Sequence, residues 1–119
     1  MTAGTEHDRE LDSDLVSIIM PTYNCGAFIA ETIATVQAQT HPRWELIVVD
    51  DCSTDDTTDV VGALAKDDPR IRYVRLETNS GAAMARNRAM ELAQGRYMAF
   101  LDSDDLWHPD KLRRQIDFM

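Results

Sequence analysis

The chain has 119 residues, of which 44% are hydrophobic, and a formal net charge of −9. This length is enough for one compact domain with a buried core. No apolar run approaches the roughly 18 to 20 residues of a membrane-spanning helix, and the N-terminus lacks the basic-then-apolar order of a signal peptide, so we expect a cytoplasmic protein. Nucleic acid is not expected as a partner, because phosphate contacts need a basic face.

The start of the chain is acidic and poor in apolar residues. Residues 1–14 contain five carboxylates and one arginine. Such a segment cannot bury enough surface to offset the entropy that it would lose on ordering. We therefore predict a disordered acidic tail over residues 1–14 and a folded domain over residues 15–119.

Four short runs rich in Val, Ile and aromatic residues alternate with segments that have helical spacing. The runs predict strands over residues 16–20, 45–50, 71–76 and 97–101. An unbroken apolar run such as residues 46–49 is typical of a strand covered on both faces, as in parallel sheets. The pattern predicts an α/β fold, and right-handed crossovers that reverse direction once give the strand order 3-2-1-4.

Local signals predict where the helices begin and end. Ser53 or Thr54 is suited to cap the second helix. The third helix is predicted over residues 82–94, with Gly95 as a left-handed C-cap. Pro109 suits the first turn of a fourth helix, with Leu112 and Ile116 facing inward.

The last predicted helix has no stop signal. Four apolar side chains near the end of the chain have no partner element in the sequence: Leu112, Ile116, Phe118 and Met119. We therefore expect a domain truncated after its fourth βα unit, with this apolar surface exposed. The fragment should then associate or be marginally stable.

Polar segments follow all four predicted strands, which is where ligands bind in parallel α/β sheets. They cover residues 21–24, 50–53, 79–81 and 102–105. Their five carboxylates should gather along one edge and raise each other's pKa unless a cation compensates. The oxygen ligands of Asp102 and Asp104 suit Mg²⁺ or Mn²⁺ shared with a diphosphate. The alternative is that these two residues only cap a helix and end a strand.

The polar segments contain four motifs in a fixed order. They are Pro-Thr-Tyr-Asn, Val-Asp-Asp-Cys-Ser-Thr-Asp-Asp-Thr, Asn-Ser-Gly-x-x-x-Ala-Arg-Asn and Leu-Asp-Ser-Asp-Asp. Over residues 16–119 this order resembles the family 2 glycosyltransferases of Rossmann-like GT-A fold. The resemblance implies metal-dependent, inverting transfer of a sugar from a nucleoside diphosphate sugar, with UDP expected, to a glycan, lipid or protein acceptor. This chain would supply the donor-binding half.

The resemblance also implies roles for particular residues. Thr22 and Tyr23 resemble the residues that line the nucleoside pocket, where the Tyr ring can pack against a base. Asp51 resembles the carboxylate that accepts a hydrogen bond from the base, which would favour the N3–H of uracil. Asp102 resembles the residue near the ribose and the metal, and Asp104 resembles the direct metal ligand.

The sequence also suggests what five further residues do. Arg86 could face the nucleotide as a cation, and Asn87 could tie its helix to a loop. Gly81 would permit the turn into that helix. Asp50 is expected to shape the pocket, and no chemistry is expected from Cys52.

Other classes of protein fit the motifs less well. A signalling receiver domain would place paired acids after the first strand, and a dinucleotide-binding Rossmann domain would need Gly-x-Gly-x-x-Gly there. A nucleotidyltransferase would want a Gly-rich, basic phosphate loop at the same place. A non-catalytic nucleotide-binding module or pseudoenzyme stays open, because the resemblance places the catalytic base beyond Met119.

Overall fold

Four parallel strands and four helices alternate in the computed structural model, which describes residues 14–118. The strands are β1 (Val16–Thr22), β2 (Trp44–Asp50), β3 (Ile71–Arg75) and β4 (Tyr97–Phe100). The helices are α1 (Ile29–Gln37), α2 (Thr57–Asp67), α3 (Ala82–Leu92) and α4 (Lys111–Phe118). The predicted tail lies outside the described residues, except that Asp14 forms an ion pair with Arg43. No helix in this range is long and apolar enough to cross a bilayer.

The spatial order of the strands is β3-β2-β1-β4, which confirms the predicted order. Each neighbouring pair is parallel, and Ile19 of β1 lies opposite both Ile47 of β2 and Phe100 of β4. The chain crosses from one side of β1 to the other between β3 and β4. The switch point therefore lies between the carboxyl ends of β1 and β4, and α/β sheets bind ligands at this edge.

Apolar layers cover both faces of the sheet, because successive side chains of a strand point to opposite faces. On one face, β1 and β2 pack against three helices through Ile29, Ile33, Val36, Val61 and Leu112. On the other face, the strands pack against α3 through Ile19, Ile47, Val49, Ala85 and Ala89. Coverage of both faces explains why the runs of β1 and β2 are apolar without alternation.

The expectation that the end of the chain lacks packing partners is wrong for Leu112 and Ile116. Leu112 is fully buried, and Ile116 packs against the same core. The helix α4 is held against the end of α1, because the amide of Leu112 donates to Gln39 Oε1 at 3.1 Å and Gln39 Nε2 donates to the carbonyl of His108 at 2.8 Å. The side chain of Phe118 and residue Met119 lie outside the described residues.

Three predicted helix boundaries are also wrong. Neither Ser53 nor Thr54 caps α2, which starts at Thr57. Instead, the carboxylate of Asp55 accepts hydrogen bonds from the hydroxyl and the amide of Thr57, and these lower the pKa of Asp55. The helix α3 ends at Leu92 without a left-handed Gly95, and Pro109 lies before the first residue of α4.

Gly95 is needed for close approach of two backbone segments. A Cβ there would lie 2.5 Å from the carbonyl oxygen of Leu15 and 2.7 Å from Ser17 Oγ. We expect Gly95→Ala to lower the free energy of unfolding by about 1 to 3 kcal/mol through overpacking, measured by urea denaturation. Gly62→Ala on α2 is the matched control, because nothing lies within 4 Å of its Cβ position. Equal effects of the two substitutions would contradict this explanation.

Candidate functional site

A cavity of about 270 Å³ lies at the carboxyl ends of β1 and β2, beside the start of α3. Its lining residues are Pro21, Thr22, Tyr23, Asp51, Asn79, Ala82 and Ala85. The structure therefore brings together Thr22, Tyr23 and Asp51, three of the residues singled out from the sequence. Of the other predicted site residues, Arg86, Asp102 and Asp104 do not line this cavity.

Asp51 lines the cavity and is also hydrogen-bonded to the residues just before α3. Its two carboxylate oxygens each accept one backbone N–H, from Ser80 at 2.6 Å and from Gly81 at 2.9 Å. Gly81 has a φ of 95°, which confirms that this turn needs a residue without Cβ. A carboxylate is favourable next to a helix N-terminus, where the backbone N–H groups are unpaired. Asp51 thus holds α3 in place while its side chain faces the cavity.

The side-chain hydroxyl of Thr22 is buried and is unpaired among the described residues. The residue is 4% exposed, and its Oγ1 has no hydrogen-bond partner within residues 14–118. Buried side-chain polar atoms are normally paired, so an unpaired hydroxyl on a residue that lines a cavity makes Thr22 a candidate contact for a polar ligand. Tyr23 follows directly, lines the same cavity and is 47% exposed. The two residues therefore offer one polar atom and one accessible aromatic ring.

Asp50 does not line the cavity, contrary to its predicted role in shaping it. It is fully buried, and its Oδ1 accepts hydrogen bonds from the amide and the hydroxyl of Ser53 at 2.9 and 2.6 Å. Its Oδ2 accepts a hydrogen bond from the hydroxyl of Tyr73 and lies 3.8 Å from Arg75 Nη1. Burial, and then the hydrogen bond to Asp50, raise the pKa of Tyr73. Asp50 therefore stabilises the loop after β2 from inside.

The five carboxylates lie at the expected edge of the sheet but do not form one cluster. Within the described part of the chain, no three His, Cys, Asp or Glu side chains are placed to hold a common metal ion. Asp50 and Asp51 instead accept hydrogen bonds from donors within the fold. A metal at this edge would therefore depend on the acids that follow β4.

Asp102 and Asp104 lie on an exposed turn directly after β4. The amide of Asp105 donates to the carbonyl of Asp102 at 3.0 Å and closes this turn. Among the described residues, neither the Asp102 nor the Asp104 carboxylate has a hydrogen-bond or ion-pair partner. Two accessible carboxylates, one residue apart, are suited to a hard divalent cation whose remaining ligands come from water and a bound ligand.

The residues predicted on α3 have weaker structural support. Arg86 is exposed and follows Ala85, which lines the cavity. Asn87 is also exposed and makes no hydrogen bond to a loop within residues 14–118, so the predicted tie between helix and loop is not present there. Arg86 facing a nucleotide stays a prediction.

Sequence reasoning missed Asn24, which fastens the loop after β1 to the loop after β2. Its backbone N–H donates to Ser53 Oγ at 2.8 Å. Its side-chain Oδ1 accepts from the backbone N–H groups of Thr54 and Asp55 at 2.7 and 3.3 Å. Asn24 has a φ of 50°, a left-handed conformation that Asn tolerates better than most residues. The position of this Asn, two residues after the end of β1, was the signal that could have found it.

Comparison with known proteins agrees with this geometry. The parallel sheet and its strand order match the GT-A fold. The sequence model described as "Glycosyl transferase family 2" matches residues 17–119. The chain belongs to glycosyltransferase family 2.

Curated relatives are longer than this chain. The putative teichuronic acid biosynthesis glycosyltransferase TuaG of Bacillus subtilis is 58% identical over 105 residues, which cover 88% of this chain and 42% of the relative. The Escherichia coli enzyme named UDP-Glc:alpha-D-GlcNAc-diphosphoundecaprenol beta-1,3-glucosyltransferase WfgD is 49% identical over 92% of this chain and 42% of its own length. The chain thus spans about two fifths of each of these relatives.

Two similar solved structures are complexes with nucleotides. S. aureus TarS 1-349 in complex with UDP has a TM-score of 0.81 and 37% identity, over 87% of this chain and 31% of that one. The mannosyltransferase PcManGT from Pyrobaculum calidifontis, in complex with GDP-Man and Mn²⁺, has a TM-score of 0.79 and 33% identity, over 85% of this chain and 31% of that one.

Proposed function

We propose that this chain supplies the donor-binding part of an inverting glycosyltransferase that uses a UDP-linked sugar and a divalent cation. The observation that carries the proposal is the cavity at the carboxyl ends of β1 and β2, whose lining includes Asp51 and Thr22, a residue with a hydroxyl that is unpaired among the described residues. Structures of S. aureus TarS 1-349 in complex with UDP and with UDP-GlcNAc support a nucleotide-sugar ligand.

The base of the nucleotide would bind in this cavity. Each oxygen of Asp51 accepts one backbone N–H and keeps further lone-pair capacity, so the carboxylate can accept the N3–H of uracil. The Thr22 hydroxyl would gain the partner that it lacks, and the ring of Tyr23 would pack against the base. A uracil base matches this set because its N3–H is a donor where the wall offers an acceptor.

Asp102 and Asp104 would hold Mn²⁺ or Mg²⁺, and Asp102 would also lie near the ribose. Their carboxylates have the required hard oxygen donors and no competing partner in the described range. When bound, the cation would act as a Lewis acid toward the diphosphate leaving group. Arg86 would add a further positive charge beside the nucleotide. The Mn²⁺ in the PcManGT complex supports a divalent cation in this fold.

The transfer itself would be a displacement at the anomeric carbon. The acceptor hydroxyl oxygen forms the new bond while the bond between the anomeric carbon and the diphosphate oxygen breaks. A carboxylate base removes the hydroxyl proton. None of the residues assigned in this chain serves as that base. The acceptor and a cytoplasmic location stay predictions, and the alternative is a non-catalytic nucleotide-binding module.

A thermal-shift screen of the full-length protein with UDP and GDP, each in Mn²⁺ and in EDTA, tests the proposal. We expect UDP with Mn²⁺ to raise the melting temperature most, because a ligand that binds only the folded state stabilises it. No response to UDP under either condition would contradict the proposal. Release of UDP from UDP-glucose or UDP-GlcNAc would then separate an enzyme from a non-catalytic module.

A further inference from the structure

Ser103 lies between the two proposed metal ligands and is held from the opposite side by α1 and the loop before it. The hydroxyl of Thr32, on α1, has two carbonyl acceptors in reach, and the shorter contact is with Ser103 at 2.9 Å, against 3.3 Å with Phe28. The thiol of Cys25 and the hydroxyl of Ser103 share a hydrogen bond of 2.7 Å. Thr32 is only 1% exposed, so its hydroxyl is directed by packing and does not move freely in solvent.

These contacts lie just beyond the end of β4, where the chain leaves the sheet. The last ladder bond near this segment runs from the amide of Leu101 to the carbonyl of Ile19, at 3.0 Å. From Asp102 onward the backbone leaves the sheet, and the contacts of Ser103 with Thr32 and Cys25 connect it to the rest of the fold. With Ser103 held inward, the carboxylates on either side of it remain exposed.

The same contacts connect the turn to the cavity. Cys25 comes two residues after Tyr23, and its thiol also donates to the Tyr23 carbonyl at 3.1 Å. The segment that carries Thr22 and Tyr23 is therefore bonded directly to the segment that carries Asp102 and Asp104. A diphosphate that joins a nucleoside in the cavity to a cation at the turn would need a fixed spacing between these two segments.

We propose that Thr32 is a positioning residue that sets the place of Asp102 and Asp104 relative to the cavity through its hydrogen bond to Ser103. Its role in metal-linked binding rests on the function proposed above, whereas its role in holding the turn does not. The assignment goes beyond the sequence motifs, because Thr32 lies on a helix outside all four of them.

The test compares Thr32→Val, which keeps the shape but removes the hydroxyl, with Thr32→Ser, which keeps the hydroxyl. Amide exchange at Asp105, read by NMR on the purified protein, reports the closed turn. We expect Thr32→Val to speed this exchange roughly five-fold, the effect of losing one net hydrogen bond. The Mn²⁺ concentration for half-maximal UDP binding should rise by a similar factor, and Thr32→Ser should restore both values.

Thr40→Val is the matched control, because its hydroxyl donates to Asp110 Oδ1 at 2.8 Å, on the same connecting segment but beyond the turn. It should leave exchange at Asp105 unchanged. Exchange at Gly81, whose amide is bonded to Asp51, should also stay constant in all three variants. Unchanged exchange at Asp105 in Thr32→Val would overturn the proposal. If exchange at Asp105 is faster in Thr32→Val but UDP binding does not depend on Mn²⁺, the positioning role is supported and the proposed function is contradicted.

Discussion

Replacing Asp104 with Ala is expected to abolish the Mn²⁺-dependent part of UDP binding. Two carboxylates cannot fill an octahedral shell, so cation and diphosphate should bind together and each should strengthen the other. Loss of residues that merely orient metal ligands costs about 10- to 100-fold in affinity, and loss of a direct ligand should cost at least as much. Calorimetric titration of UDP in Mn²⁺ and in EDTA measures the difference.

The neighbouring Asp105 offers a matched control for this experiment. It is also exposed, and its Oδ1 accepts the amide of Leu106 at 3.0 Å, so it already has a local structural role. Asp105→Ala should change the UDP affinity in Mn²⁺ by less than about two-fold, as expected for an exposed side chain that is not itself a ligand. Equal losses in both variants, or equal UDP affinity in EDTA and Mn²⁺ for the unaltered protein, would argue that the turn is only structural.

Replacing Asp51 with Asn is expected to weaken UDP binding by about 1 to 3 kcal/mol, in EDTA and in Mn²⁺ alike. The amide keeps the shape of the side chain but loses the charge and one acceptor oxygen. It therefore cannot accept the N3–H of uracil and the two amides of Ser80 and Gly81 together. The affinity of each protein for UDP, measured by calorimetry, gives the loss directly.

The role of Asp51 at the start of α3 must be separated from its role in recognition. The diphosphate of N3-methyluridine distinguishes the two roles, because it lacks the N3–H but keeps the rest of the ligand. The unaltered protein should bind it more weakly than UDP, whereas Asp51→Asn should distinguish the two ligands much less, as a double-mutant cycle requires. If Asp51→Asn discriminates as well as the unaltered protein, then Asp51 acts only by holding α3.

Much of the candidate site could be predicted because strand ends are local features of the sequence. Once the runs were identified as parallel strands, their carboxyl ends had to meet at one edge. That geometry is enough to place Thr22, Tyr23 and Asp51 around one cavity. Their roles toward a ligand stay predictions, as do those of Asp102 and Asp104.

The partners of individual side chains could not be predicted in the same way. Asp50 and Asp51 are adjacent acids with similar local signals, yet the first is bonded inside the fold and the second faces the cavity. Asn24 is hydrogen-bonded to a segment about 30 residues away in the sequence, and Thr32 to a segment about 70 residues away. Such contacts depend on how loops pack over the sheet, which periodicity does not encode.

The sequence by itself determined the class of fold, the number and order of its βα units and the edge where polar residues collect. Periodicity, chain order and the handedness of crossovers are sufficient for these features. Only the tertiary structure decided which elements cover Leu112, that Gly95 serves close approach and that Asp50 is satisfied internally. Each of these depends on a partner distant in the chain, because packing and hydrogen bonding are settled by proximity in space.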